Sequence, residues 1–212
     1  IHTSYFLTVL PSYMTEFSFL FDLPAYQAHR IPQRVAGAMW RQGIKEEISS
    51  DQLDRLIKAI AVQLLERGVK KGDRVIILTD RYSIKWLAAD MAIMATGAIS
   101  TPLHYPVKRH DLDLILHRIE PVIIIYTAGV EHDAIEGPVK ILLDDLVASN
   151  DILQENDLKK LEEIRGALKP DDIATIVHTS GSSGEPRAVC LSHNNVISNV
   201  ISLLSIVPFV PG

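Results

Sequence analysis

The chain has 212 residues, 47% of them hydrophobic and 22% charged, with a formal net charge of −5. These values describe a folded globular chain able to bury a sizeable core in one large domain or two small ones, and they exclude disordered and fibrous classes. No block of Lys or Arg supplies the basic face that non-specific nucleic-acid binding needs. No apolar run reaches the roughly 18 residues of a membrane span, and the single Cys190 cannot form an internal disulfide. A cytoplasmic protein is the default expectation, with peripheral association with a membrane left open.

Residues 1–22 read as an N-terminal extension. Its first 13 residues lack the basic region of a signal peptide, and Met14 is a candidate natural start, with 1–13 added to it. From Ser50 to Gly68 the apolar residues Leu53, Leu56, Ile57, Ile60, Ala61, Leu64 and Leu65 step by three and four, which predicts an amphipathic helix. Ser49 or Ser50 is its expected cap and Gly68 its left-handed end. Val75 to Leu78 is a short apolar run after a Lys-Gly-Asp turn, the pattern of a strand covered on both faces. A second helix opens at Ser83, passes through Trp86, Met91 and Met94 as core residues, and closes at Gly97.

Strands follow at Ile99 to Leu103, Val122 to Tyr126 and Val139 to Leu143, with a helix from Lys108 to Arg118 between the first two. Asp144 to Lys169 is a polar excursion holding a helix near Leu158 to Leu168, stopped by Pro170. Ile173 to Val177 is another buried strand. The alternation predicts an α/β fold, a mostly parallel sheet with helices on its faces.

The segment Thr179 to Arg187 carries the chemistry. Gly181 and Gly184 let backbone N–H groups approach oxygen atoms closely; Thr179, Ser180, Ser182 and Ser183 add hydroxyl donors; Arg187 offsets negative charge. That set suits a polyphosphate. The spacing differs from a Walker A loop, which needs Gly-Lys-Ser/Thr opening a helix, and from a Gly-x-Gly-x-x-Gly dinucleotide fingerprint. Pro186 is followed by an extended run to Leu191, and the next helix starts later with Ser192 as its cap and Val196, Ile197, Val200, Ile201 and Leu204 as its stripe. A phosphate flap between two strands is the expected arrangement.

The motif His178-Thr-Ser-Gly-Ser-Ser-Gly-Glu-Pro-Arg-Ala-Val189, followed by Leu-Ser192-His193-Asn-Asn195, resembles that of the adenylate-forming (AMP-binding) superfamily, which includes acyl-CoA synthetases, luciferase-like enzymes and peptide-synthetase adenylation domains. Gly68 to Val75 and Ala98 to Pro102 are similar to upstream family segments, and the likeness runs from about Leu23 to Leu204. Glu185 and the Leu-Ser-His run look most like bacterial long-chain fatty acid–CoA ligases. Arg187 stands where the family usually has Lys, and Ala188 where it has Gly.

The resemblance implies residues 23–212 as a truncated AMP-binding large domain. It implies an ATP-dependent ligase that joins a carboxylic acid, foremost a long-chain fatty acid, to AMP and then to coenzyme A. Thr179, Ser180, Gly181, Ser182, Ser183, Gly184 and Arg187 would hold the ATP phosphates, and Thr179 would help position Mg2+. The family's adenine and ribose pockets and its catalytic Lys lie further along, so the 212 residues are expected to hold no catalytic residue and to be inactive alone. An amino- or aryl-acid adenylating enzyme and a non-catalytic nucleotide-binding module are the alternatives. Self-association through Val207, Phe209 and Val210 is a further expectation.

Other titratable residues have plainer readings. His178 and His193 are expected to pack and to support the helix start, and His110 and His117 to lie on a solvated helix face. Adjacent carboxylates such as Asp171 and Asp172 belong to turns. Cys190, in an apolar strand, is expected to be buried.

Overall fold

A computed structural model describes residues 17–41, 44–131, 135–148, 153–180 and 186–206. Helix α1 (Asp22–Arg30) leads to a two-stranded antiparallel ribbon, β1 (Val35–Arg41) and β2 (Ile44–Ser49). Next come α2 (Ser50–Glu66), β3 (Arg74–Thr79), α3 (Ile84–Ala95), β4 (Ile99–His104), α4 (Arg109–Ile119), β5 (Ile123–Tyr126) and β6 (Val139–Leu142). The chain continues through α5 (Leu143–Ala148), α6 (Glu155–Ala167), β7 (Ile173–Ser180), β8 (Pro186–Ser192) and α7 (His193–Ile206).

The main sheet has the order β6-β5-β3-β4-β7-β8. Its first five members in that order pair in parallel, and β8 alone runs antiparallel, against β7. The parallel pairs explain the uninterrupted apolar runs. Val75 and Ile77 of β3 join Ile123 and Ile125 of β5 in a core with α2 and α3, while Ile76, Leu78 and Ile124 join Leu112, Ile115 and Ile119 of α4 on the other face. Ile76, Ile77, Leu78, Ile124 and Ile125 are all fully buried. Each such side chain contributes about 1.5–3 kcal/mol by leaving water.

Caps set the helix limits where the sequence places them. Ser49 accepts from the amide of Gln52 at 3.3 Å while the Gln52 side chain accepts from the Ser49 amide at 2.9 Å, a reciprocal capping box. Ser83 accepts from the amide of Trp86 at 3.0 Å. Gly97 ends α3 at φ 78°, and a Cβ there would also lie 3.0 Å from Leu168. Three features escape the apolar pattern. The β1–β2 ribbon is largely exposed and its second strand mostly polar, so alternation is weak; α1 buries Asp22 and Pro24 in place of an apolar stripe; and α5 has only six residues. No helix is long and apolar enough to cross a membrane among the described residues.

A third small core closes the N-terminal side. Phe19 and Phe21 pack with Met94, Leu168 and Ala174. Here residues 17–22 are an integral part of the fold, packed against residues more than seventy positions away.

Candidate functional site

Strands β3, β4, β5 and β7 share one direction, so their carboxyl ends lie along one edge of the sheet, where open α/β sheets bind ligands. The segment after β7 leaves from that edge. Strands β7 and β8 form a hairpin with the pairs Ile176↔Cys190, Val177↔Val189, His178↔Ala188, Thr179↔Arg187 and Ser180↔Pro186. Residues directly opposed in an antiparallel pair carry side chains on the same face. Thr179 and Arg187 therefore stand side by side, both exposed, on the face opposite His178 and Ala188. The expected flap between two strands is present in its stems; Gly181, Ser182, Ser183 and Gly184, together with Glu185, lie outside the described residues.

The base of the hairpin is fixed. Ile173 pairs with Ser192, and Ser192 caps α7: its hydroxyl accepts from the amide of Asn195 at 3.1 Å, and Asn195 Oδ1 accepts from the Ser192 amide at 3.0 Å. This reciprocal cap explains the Ser-His-x-Asn spacing in physical terms. The turn before β7 is tied to the same helix start, since the amide of Asn194 donates to the Pro170 carbonyl at 2.8 Å and Asn194 Nδ2 to Asp171 at 3.1 Å. Lys71 closes the turn by pairing with Asp172 at 2.6 Å, and its hydrogen bond is the main reason the Asp172 carboxyl sits below the usual range.

His193 is 2% exposed and accepts from the Leu20 amide at 3.2 Å through Nδ1. Phe19 and Phe21 present their edges or faces to it at 5.2 and 5.7 Å. Burial pushes its pKa down to about 4, against the pull of Asp22 and Asp172. It supports the helix start by holding the N-terminal segment against it. His178 packs on the other side of the hairpin, half-buried and held below its ordinary pKa, first by burial and then by the Arg118 cation.

One expectation is overturned: Cys190 is exposed. Its strand, β8, is the outermost of the sheet, and four of its seven residues are exposed. An apolar run reads as buried only when something covers both faces. His110 and His117 are exposed on α4, as expected of a solvated face.

Sequence reading did not single out a second polar cluster on the same edge. Thr127 donates to Asp80 at 2.7 Å, and Arg81 donates to it at 2.8 Å. Those bonds, Arg81 first, hold the Asp80 carboxyl at about 2. Arg118 was also missed; its guanidinium donates to the Pro186 carbonyl at 2.9 Å. Neither contact has a local sequence signal. Among the described residues no group of three or more His, Cys, Asp or Glu could hold a metal ion.

Comparison with known proteins places this geometry in context. A family model described as "AMP-binding enzyme" matches residues 25–210. A long-chain-fatty-acid–CoA ligase of Mycobacterium tuberculosis, FadD15, is 27% identical over 188 residues, covering 80% of this chain and 30% of that protein. The peptide synthetase phqB of Penicillium fellutanum is 31% identical over 181 residues, covering 82% of this chain and 7% of that protein. Among solved structures, a fatty acyl-adenylate ligase from L. pneumophila, in complex with acyl adenylate and pyrophosphate, superposes with a TM-score of 0.74 at 25% identity, covering 91% of this chain and 33% of its own. The N-terminal subdomain of Klebsiella oxytoca NpsA, in complex with 3-hydroxybenzoyl-AMSN, superposes with a TM-score of 0.67 at 23% identity, covering 84% of this chain and 41% of its own. The chain thus spans less than a third of the length of these curated relatives.

Proposed function

This chain belongs to the AMP-binding enzyme family, and from that premise we propose that the intact protein is an adenylate-forming ligase acting on a carboxylic acid. Its acid substrate is a long-chain fatty acid, and coenzyme A is the acceptor. The observation that carries this reading is the placement of Thr179 beside Arg187 on one exposed face of the hairpin, at the carboxyl edge of the parallel sheet.

In the proposed reaction a carboxylate oxygen attacks the α-phosphorus of ATP, and the bond to the bridging oxygen breaks, releasing pyrophosphate. The thiol sulfur of coenzyme A then attacks the acyl carbonyl, loses its proton and displaces AMP. Within this chain, Arg187 offsets charge on the β- and γ-phosphates, Thr179 and Ser180 donate hydroxyls, and the loop from Gly181 to Gly184 offers backbone N–H groups.

Mg2+ fits this arrangement as a companion of the phosphates. The exposed Thr179 hydroxyl would be a protein oxygen facing it, with phosphate oxygens and waters supplying other ligands. When bound, it neutralises part of the polyphosphate charge.

The similarity to FadD15 and to the fatty acyl-adenylate ligase supports the fatty acid. A second reading, an amino or aryl acid, is favoured by the similarity to phqB, a peptide synthetase. Acid-dependent exchange of labelled pyrophosphate into ATP by the intact protein separates them. Exchange with fatty acids supports the first reading and exchange with amino or aryl acids alone supports the second. No exchange with any acid would sink the ligase reading.

A further inference from the structure

Strand β8 borders the sheet, paired with β7 on one side and with no strand on its other side among the described residues. An edge strand next to a loop is the least constrained part of a hairpin. The base at Ile173↔Ser192 is tied down by the α7 cap, but the last described pair before the tip, Ser180↔Pro186, lies six pairs away. Pro186 has no N–H, so its carbonyl is its only backbone hydrogen-bonding group. That carbonyl accepts from Arg118 at 2.9 Å.

Arg118 is well suited to this contact. It occupies the last turn of α4, where a cation is favoured by the helix dipole, and its neighbours Ile115 and Ile119 anchor α4 in the core. The bond spans 68 residues of sequence, so it fastens the hairpin to an independent and rigid element. On the same side of the hairpin lies His178, whose Nδ1 is enclosed without a hydrogen-bond partner. This is the side opposite Arg187, and Arg118 reaches the backbone of the residue immediately before it.

We infer that Arg118 is a positioning residue for the phosphate hairpin: by gripping the Pro186 carbonyl it holds the β8 stem against α4 and so fixes where Arg187 stands relative to Thr179. This rests on the phosphate-binding reading of the hairpin. Arg118 acts through Arg187, on the far face, and after burial its charge is the second influence that lowers the His178 pKa.

The test uses the purified protein and its R118A and R118K variants, with three readouts. Amide hydrogen exchange at Arg187 and Ala188 is expected to quicken roughly tenfold in R118A, the effect of losing one charge-assisted bond, while Leu191 at the base is unchanged. The His178 imidazole, followed by NMR, is expected to titrate at higher pH in R118A and near its original midpoint in R118K, which keeps the charge. Magnesium pyrophosphate affinity, measured by calorimetry, is expected to fall about fivefold in R118A and to recover in part in R118K. Unchanged exchange at Arg187 and Ala188 in R118A would overturn the anchoring. Altered exchange with unchanged pyrophosphate affinity would overturn the positioning role. If the unmodified protein itself bound no pyrophosphate, the phosphate reading would fall and the positioning role with it, while the exchange data would still decide whether Arg118 anchors the strand.

Discussion

The amide of Leu20 donates to Nδ1 of His193 at 3.2 Å, joining two residues 173 positions apart at the start of α7. An N–H can donate there only while Nδ1 is unprotonated. The imidazolium would carry a hydrogen on both nitrogens, so protonation breaks the bond and leaves a buried charge against the stacked rings of Phe19 and Phe21.

Stability should therefore fall in mild acid. The folded pKa of His193, about 4, lies below its unfolded value of 6.5. Between those values the unfolded chain binds a proton that the folded chain refuses, so the contribution is complete above 6.5 and is lost as pH falls towards 4. The loss amounts to about 3 kcal/mol at the bottom of the window. Urea unfolding at pH 7 and at pH 4.5 measures it, and His193→Gln should flatten that part of the profile by removing the titrating group.

Asp22 holds the same junction from the other side. Its carboxylate accepts from the amides of Ser18 and Phe19 and from both Nε and a terminal nitrogen of Arg165. Asp22→Ala removes all of these and is expected to cost about 2–4 kcal/mol in urea unfolding. Arg165→Met should cost less, about 1–2 kcal/mol, because its side chain is 41% exposed and solvent screens the pair. Equal losses from the two changes would contradict the proposed division.

The α7 cap makes a smaller prediction. Ser192→Ala removes the acceptor for the Asn195 amide, and the expected cost is about 1 kcal/mol, or a Tm lower by roughly 2–4 °C for a chain of this size. Ser192→Asp, which keeps an acceptor, should restore most of it in a thermal scan.

At Gly129 space decides. A Cβ built there would lie 2.3 Å from Asp80 Oδ2. Gly129→Ala must push the carboxylate away from Arg81 and Thr127, and the expected destabilisation is about 1–3 kcal/mol by chemical unfolding.

Arg187 tests the phosphate reading directly. Arg187→Ala should weaken magnesium pyrophosphate binding roughly tenfold, the effect of losing a charge-assisted contact, and Arg187→Lys should recover most of it. Calorimetry checks both, with unfolding curves expected to stay unchanged because the side chain is exposed.

Most elements were legible in the sequence because the interactions that define them are local. The three-and-four stepping from Leu53 to Leu65, the Ser49 cap and the Ser192–Asn195 spacing all act within a few residues. The β1–β2 ribbon was not legible, because it buries too little to impose a pattern. The assignment of Cys190 failed for a related reason: the residue types in β8 say that a strand forms, whereas its exposure depends on β8 lying at the border of the sheet.

The sequence by itself determined the α/β class, the capped starts of α2, α3 and α7 and the Thr179 to Arg187 motif, since periodicity and capping are encoded in neighbouring residues. Only the tertiary structure decided that β4 and β5 flank β3 on opposite sides, that Thr179 and Arg187 share a face, that Leu20 and Asp22 tie the N-terminal segment to α7 and α6, and that Arg118 ties α4 to the hairpin. Those bracing bonds span 173, 143 and 68 residues. Contacts of that range depend on how the sheet is wound, which fixes the positions of elements that have no influence on one another along the chain.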